Sequence, residues 1–282
     1  MAPGADHGPA TPRRLTASSL TFGQTPFEER VRVAASAGFD GIGLSAEVYA
    51  EALRNGLDDS DMLAMLDEHE LVVTEVEFLS DWFLDDAPAS PSSKETTLLH
   101  LARVFGAERI NVGLFEKHPL DEMCRSFAAL CERAGDVKIA LEFMPFGGIP
   151  SLPTAWELVR SVDRDNAGLL LDVWHWVRAD TTTEDFARVP ADRVFAVQLC
   201  DVGRDRLEEM RFESLHRRLV PGDGDGHATS LLSLLVSHGV DADICVEVMS
   251  DELAASGTMA TATSVFAGAT EVLSKVTAYT GR

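Results

Sequence analysis

The sequence predicts an α/β protein folded as a single (β/α)8 TIM barrel, and three observations predict it. Short β-branched apolar runs alternate with helical stretches along the chain, the pattern of a parallel sheet with crossover helices. A helix ending at glycine, followed by a few residues and a new strand, recurs in SAGFDGIGL, VFGAERINVGL, RAGDVKIALEF and SHGVDADICVEV. Eight such strands can be drawn, and eight units fit a closed barrel better than an open doubly wound sheet. A length of 282 residues suits one barrel of this kind.

Taken in order, the expected strands are Leu15–Leu20, Gly41–Leu44, Val72–Glu77, Arg109–Val112, Lys138–Met144, Gly168–Asp172, Val194–Leu199 and Ile244–Val248. Helices between them end at Gly38, Gly106, Gly135 and Gly239, where glycine supplies the left-handed conformation past the last turn. Thr25-Pro26-Phe27-Glu28 reads as a capping box with proline at the first helical position. Asp59 or Ser60, Thr154 and Thr182 read as caps of later helices. Residues 1–14 carry no apolar run and are expected to be a disordered leader rather than a signal peptide, leaving 15–282 as one catalytic domain.

Composition excludes several functions. Apolar residues make up 45% and charged residues 25%, which is globular rather than disordered. Asp and Glu outnumber Lys and Arg 46 to 24, giving a net charge of −22. Such a field repels phosphate backbones and anionic lipid, so neither nucleic acid nor a membrane is an expected partner. No apolar run reaches the ~20 residues that span a bilayer. The dinucleotide fingerprint GxGxxG does not follow the first strand, and no P-loop sequence occurs. Cys124, Cys131, Cys200 and Cys245 form no CxxC pair, so reduced thiols and a cytoplasmic location are expected. Lysine occurs only at Lys94, Lys117, Lys138 and Lys275, none at a strand's C-terminal end, which argues against a Schiff-base aldolase.

Four consecutive strands end in an acid or an amide: Glu142 in IALEFMP, Asp172 in LLLDVWHW, Gln198 in FAVQLCD and Glu247 in ICVEVMS. In a barrel these ends meet at the rim where active sites are built. Buried carboxylates need positive charge among them, and one divalent cation held by Glu142, Asp172, Gln198 and Glu247 supplies it. An all-oxygen set suits Mn²⁺ or Mg²⁺ first, with Zn²⁺ or Co²⁺ as alternatives. The other reading of each residue is a strand-end cap or ion-pair partner.

His175 follows Asp172 by three residues, between Trp174 and Trp176; it either donates to a substrate oxygen, orients a ligand, or simply packs between the tryptophans. Arg218, in HRRLVPGDGDG, either holds substrate oxygens with its planar fork or belongs to a solvated loop. The DGDG run lacks the spaced glutamate of a calcium loop. Cys200 and Cys245 share parity with Gln198 and Glu247 and fill the barrel interior. Glu77, Trp82 and Phe83 offer a pocket wall or ordinary packing.

LEFMPF, LLLDVWHW, VQLCD, RRLVPGDGD and VEVMSDEL, in this order and spacing, resemble the xylose-isomerase-like TIM barrels that include sugar phosphate isomerases and epimerases. The resemblance runs from Leu15 to Tyr279. It implies a metal bound by Glu142, Asp172, Gln198 and Glu247, acid/base roles for Glu142 and Glu247, and substrate contacts from His175 and Arg218. Two departures stand out. Many ketose epimerases of the group carry His at the position of Gln198, and the apolar Phe146-Gly147-Gly148 region stands where they have a second substrate-binding Glu. Gln198, the R-x-x-P-G turn and the EVxxD ending are similar to bacterial 3-dehydroshikimate dehydratases of the same barrel.

The expected activity is a divalent-metal-dependent isomerase or epimerase of a small polyhydroxylated keto substrate, a sugar, sugar phosphate or cyclitol. A carboxylate removes the proton beside a metal-bound carbonyl to give an enediolate. The alternative is a dehydratase of the 3-dehydroshikimate type, in which the same anion expels a β-hydroxyl. An apurinic-site endonuclease is argued against by the charge and by the lack of a multi-histidine cluster, while a non-catalytic binding protein and a homodimer stay open.

Overall fold

The computed structural model describes residues 14–83, 92–225 and 227–276. Eight parallel strands close into a barrel in sequence order: β1 (Leu15–Ala17), β2 (Gly41–Ser45), β3 (Val72–Leu79), β4 (Arg109–Val112), β5 (Lys138–Glu142), β6 (Ala167–Asp172), β7 (Val194–Leu199) and β8 (Asp243–Val246). The ring is shut by β1 against β8, with Leu15 opposite Ile244 and Ala17 opposite Val246.

Strand alternation sorts the residues into two cores. Outward-facing Ile42, Leu44, Val76, Ile110, Val112, Ile139, Leu141, Leu169, Leu171, Val197 and Val246 are buried under the helices. The interior is mixed. Ala140, Leu170 and Ala196 form a small apolar patch, while Thr16 meets Thr74 at 3.0 Å. Glu75 on β3 accepts from Arg109 on β4 at 2.6 Å and from the Cys245 thiol on β8 at 2.9 Å, bridging three strands inside the ring. Burial and the adjacent Glu75 and Glu77 push the Cys245 thiol well above its ordinary pKa, so it stays protonated filling, as its parity suggests.

The strand ends differ from the sequence reading where they matter most. β1 stops at Ala17, because Ser18 turns the chain into a 3-10 segment, Ser19–Phe22, and accepts from the Leu20 N–H. β3 runs two residues past Glu77, and β8 ends one residue before Glu247. Arg14 belongs to the barrel rather than to a leader. Its N–H donates to Asp243 Oδ1 at 3.2 Å and its carbonyl accepts from Ile244 N. The rest of the expected leader lies outside the described residues.

Caps shift by a few positions. Asp58, not Asp59 or Ser60, caps the helix Asp59–Glu68 in a reciprocal box with Asp61. Ser151 rather than Thr154 caps Leu152–Val162, and Thr182 caps Thr183–Phe186 as expected. The Thr25 box does not form, because Thr25 Oγ1 pairs with Thr258 Oγ1 at 2.9 Å and Pro26 takes the cap position. Gly38 ends Phe27–Ala37 in the left-handed conformation, and a Cβ there would also stand 2.8 Å from the Phe266 ring.

Candidate active site

Glu142 and Asp172 are the last residues of β5 and β6, Gln198 lies one residue from the end of β7, and Glu247 follows β8 directly. The ladder sets Asp172 opposite Gln198, while Glu142 pairs with Leu170 and Gln198 with Cys245, so Glu142 and Glu247 stand two residues below and above the rung that Asp172 and Gln198 share. All four side chains are buried, as are His175 and Arg218. Glu142, His175, Gln198, Arg218 and Glu247 line one cavity of about 260 Å³, with Glu77 beside them. Leu20, Phe78, Phe115, Met144, Phe146 and Met249 form its apolar wall. The concave, mostly apolar shape with a few convergent polar groups is that of a small-molecule site.

The polar groups are tightly linked. Gln198 Nε2 donates to Glu247 Oε1 at 2.8 Å. Arg218 Nη1 donates to Asp172 Oδ2 at 2.6 Å and stands 3.0 Å from Glu247 Oε2. The rest of the Arg218 fork is held by the Ser214 carbonyl at 2.9 Å and hydroxyl at 3.2 Å. His175 Nε2 lies 3.3 Å from Glu142 Oε1. Its position follows from local chemistry: Asp172 caps the helix Val173–Arg178, accepting from the His175 N–H at 2.8 Å, so the ring is fixed one turn above the strand end.

The expected substrate contacts therefore sit in the cavity, but Arg218 comes to it with its guanidinium already committed to two carboxylates. Burial alone would lower its pKa; Asp172 and Glu247 more than offset that, holding it above the ordinary value. Burial, opposed by Arg218 and reinforced by Glu77, Asp172 and Glu142, pushes Glu247 well above the usual carboxylate range. Burial first, then Glu75, raise Glu77 to about 8.

Glu77, which the sequence offers as pocket wall or ordinary packing, lines the cavity. It ends up in the cavity because β3 carries Glu75 and Glu77 on its inner face, one low in the barrel and one at the mouth. Ser18 Oγ lies 3.1 Å from Glu77 Oε1 and 3.0 Å from Glu247 Oε1, and the Ser19 N–H donates to Glu77 Oε1 at 3.0 Å. The TEVEF alternation was the available signal, although it does not separate the two acids.

The residues fit a divalent cation. Gln198 Oε1 is buried with no hydrogen-bond partner, a free oxygen donor beside two carboxylates. Glu77, Glu142, Asp172 and Glu247 crowd together with Arg218 as the one guanidinium in ion-pair contact with them among the described residues, and a bound cation would relieve the crowding that raises Glu77 and Glu247. Donor atoms of Glu142, Asp172 and His175 also lie within 4.8 Å of one another, which adds a nitrogen to the oxygen set.

A family model described as xylose isomerase-like TIM barrel matches residues 31–266. The chain is 31% identical to a 3-dehydroshikimate dehydratase of Pseudomonas aeruginosa over 136 residues, 47% of this chain and 21% of that one. It is 30% identical to an inosose isomerase of Bacillus subtilis over 118 residues, 41% of each. The aligned region thus spans less than half of these relatives. Among solved structures, the IOLI protein with a bound zinc atom superposes with a TM-score of 0.79 at 19% identity, over 95% of this chain and 100% of that one. D-psicose 3-epimerase with D-tagatose, from Clostridium cellulolyticum, gives 0.68 at 13% identity, over 93% and 99%. Both structural likenesses speak to the fold. With a closed eight-stranded ring, polar ends on β5 to β8 and a family match over most of its length, the chain belongs to the xylose isomerase-like TIM barrel family.

Proposed function

We propose that this protein is a divalent-metal-dependent isomerase or epimerase of a small polyhydroxylated ketone, a sugar, sugar phosphate or cyclitol. The observation that carries the reading is the pair Glu142 and Glu247, on strands three apart, both lining one cavity with an unpartnered amide oxygen between their strands. Glu142, Asp172, Gln198 and Glu247 would hold the metal. The oxygen donors suit Mn²⁺ or Mg²⁺, and His175 offers the nitrogen that Zn²⁺ or Co²⁺ prefers.

When bound, the cation draws charge from the ketone oxygen and acidifies the neighbouring C–H. Glu142, whose ion-pair partner among the described residues is His175, takes that proton as general base. Glu247, hydrogen-bonded by Gln198 and Ser18 on the other side of the cavity, returns one to the opposite face or to the adjacent carbon. His175 steadies Glu142 and reaches toward a substrate oxygen, while Phe78, Phe115, Phe146 and Met144 keep bulk water away from the anion.

A second reading, a dehydratase of the 3-dehydroshikimate type, is favoured by Gln198 in place of a histidine and by the 31% likeness to such an enzyme. Solvent deuterium incorporation into ketoses, inososes and 3-dehydroshikimate with Mn²⁺ present separates them. Exchange without loss of water supports the isomerase or epimerase; release of water selects the dehydratase. We further propose that the protein works in the cytoplasm on a small molecule, without nucleic acid or membrane. Its four cysteines are unpaired, and no helix among the described residues is long and apolar enough to cross a membrane.

A further inference from the structure

The carboxylates at the mouth are not equivalent in how they are neutralised. Asp172 and Glu247 share Arg218, Glu142 faces His175, and Glu75 lower in the barrel is paired with Arg109. Glu77 has no cation within ion-pair distance among the described residues. Its Oε1 accepts from the Ser18 hydroxyl and the Ser19 N–H, whereas Oε2 has no hydrogen-bond partner among those residues and the side chain lines the cavity. The neighbouring strand makes room for it. A Cβ at Gly43 would stand 3.2 Å from Glu77 Oε1 and 3.0 Å from the Ser19 nitrogen that holds it.

The other cations nearby are committed elsewhere: Arg30, close enough to feel Glu77, donates to the carbonyls of Thr25, Ser19 and Gly23. Lys94 is bound to Glu47 at 2.8 Å, and Arg211 lies over the Phe115 ring, 4.9 Å from its centre. A ligand carboxylate placed next to Glu77 would therefore find no free cation to pair with, and a like charge whenever Glu77 is ionised. A ligand hydroxyl would instead find an acceptor when Glu77 is ionised and a donor when it is protonated.

Resting on the isomerase or epimerase reading above, we propose that Glu77 is a specificity-determining residue: it hydrogen-bonds a hydroxyl of an uncharged polyhydroxylated ketone and turns away ring ligands that carry a carboxylate. The substrate class narrows accordingly to neutral ketoses or cyclitol ketones.

The test measures binding, not turnover, with two unreactive six-membered-ring probes: myo-inositol, which is uncharged, and shikimate, which carries a carboxylate. Calorimetric Kd values are compared for Mn²⁺-loaded wild type, Glu77→Gln and Glu77→Ala, with folding checked by circular dichroism. Wild type is expected to prefer myo-inositol by about tenfold or more, and Glu77→Gln to shrink that ratio by about tenfold, chiefly by tightening shikimate. Glu77→Ala gives the same direction if the glutamine variant does not fold. A ratio within twofold of wild type in the folded variant overturns the proposal, as does wild type preferring shikimate. Solvent exchange into an inosose by wild type is scored separately. Its absence would count against the isomerase reading while the probe ratio still decides the role of Glu77.

Discussion

Arg218 holds Asp172 through one short contact, Nη1 to Oδ2 at 2.6 Å, with both side chains shut off from water. The same nitrogen reaches Glu247, so one guanidinium neutralises two of the proposed metal ligands. Arg218 therefore shapes the charge of the site before any substrate arrives.

Removing that cation should destabilise the metal-free protein strongly. Arg218→Met leaves the buried Asp172 carboxylate without its cation and takes from Glu247 the charge that favours its ionised form, a loss of about 3–5 kcal/mol. Urea denaturation of metal-free protein measures it. Adding Mn²⁺ should recover more stability in the variant than in wild type, and equal recovery in both would mean that Asp172 and Glu247 do not bind the ion.

Stability of the metal-free protein should fall as pH rises. Glu77, raised to about 8, and Glu247, raised well above its usual range, bind protons more tightly folded than unfolded. Their stabilising contribution is complete below an unfolded value of 4.5 and is lost as pH climbs through the folded values. The exposed Asp121, Asp185 and Glu271 are shifted downward and act only at more acid pH, outside this window. Melting temperature in chelator should drop by several degrees between pH 5.5 and 8, at roughly 2–4 °C per kcal/mol. Glu77→Gln should flatten the slope.

Glu142→Gln and Glu247→Gln keep an oxygen donor while removing the acid/base function. With metal content verified, each should slow substrate–solvent proton exchange by roughly 10²-fold or more. Full exchange in both variants would exclude these residues as the bases.

Gln198→Leu deletes the unpartnered oxygen at nearly constant volume. Mn²⁺ affinity should fall by about tenfold or more, read by titration calorimetry, and the metal-free melting temperature should fall by a few degrees because the hydrogen bond to Glu247 Oε1 is lost as well. Unchanged affinity would remove Gln198 from the ligand set.

The ring and the four polar strand ends were legible in sequence because both rest on local signals, strand periodicity and a polar residue where an apolar one belongs. Glu77 was not. TEVEF places two acids on one face, and only the closed barrel shows that Glu75 meets Arg109 and Cys245 while Glu77 opens on the cavity. Ser18 was hidden for a similar reason, since its strand looked longer than it is and the turn after Ala17 is what aims the hydroxyl between β3 and β8. The Arg218 fork could be placed at the mouth but not paired, because its partners Asp172 and Glu247 lie 46 residues upstream and 29 residues downstream, brought together only by the fold.

The closure of β1 on β8 has a temporal consequence. Glu142, Asp172, Gln198 and Glu247 come with the last four strands of the ring, and Glu247 takes its place only when β8 zips against β1, the strand made before the other seven. A ribosome that has passed β7 carries a chain with an open seam and an incomplete ligand set. The proposed four-ligand site therefore exists only once the strand that leads into Glu247 has been made and the ring has shut.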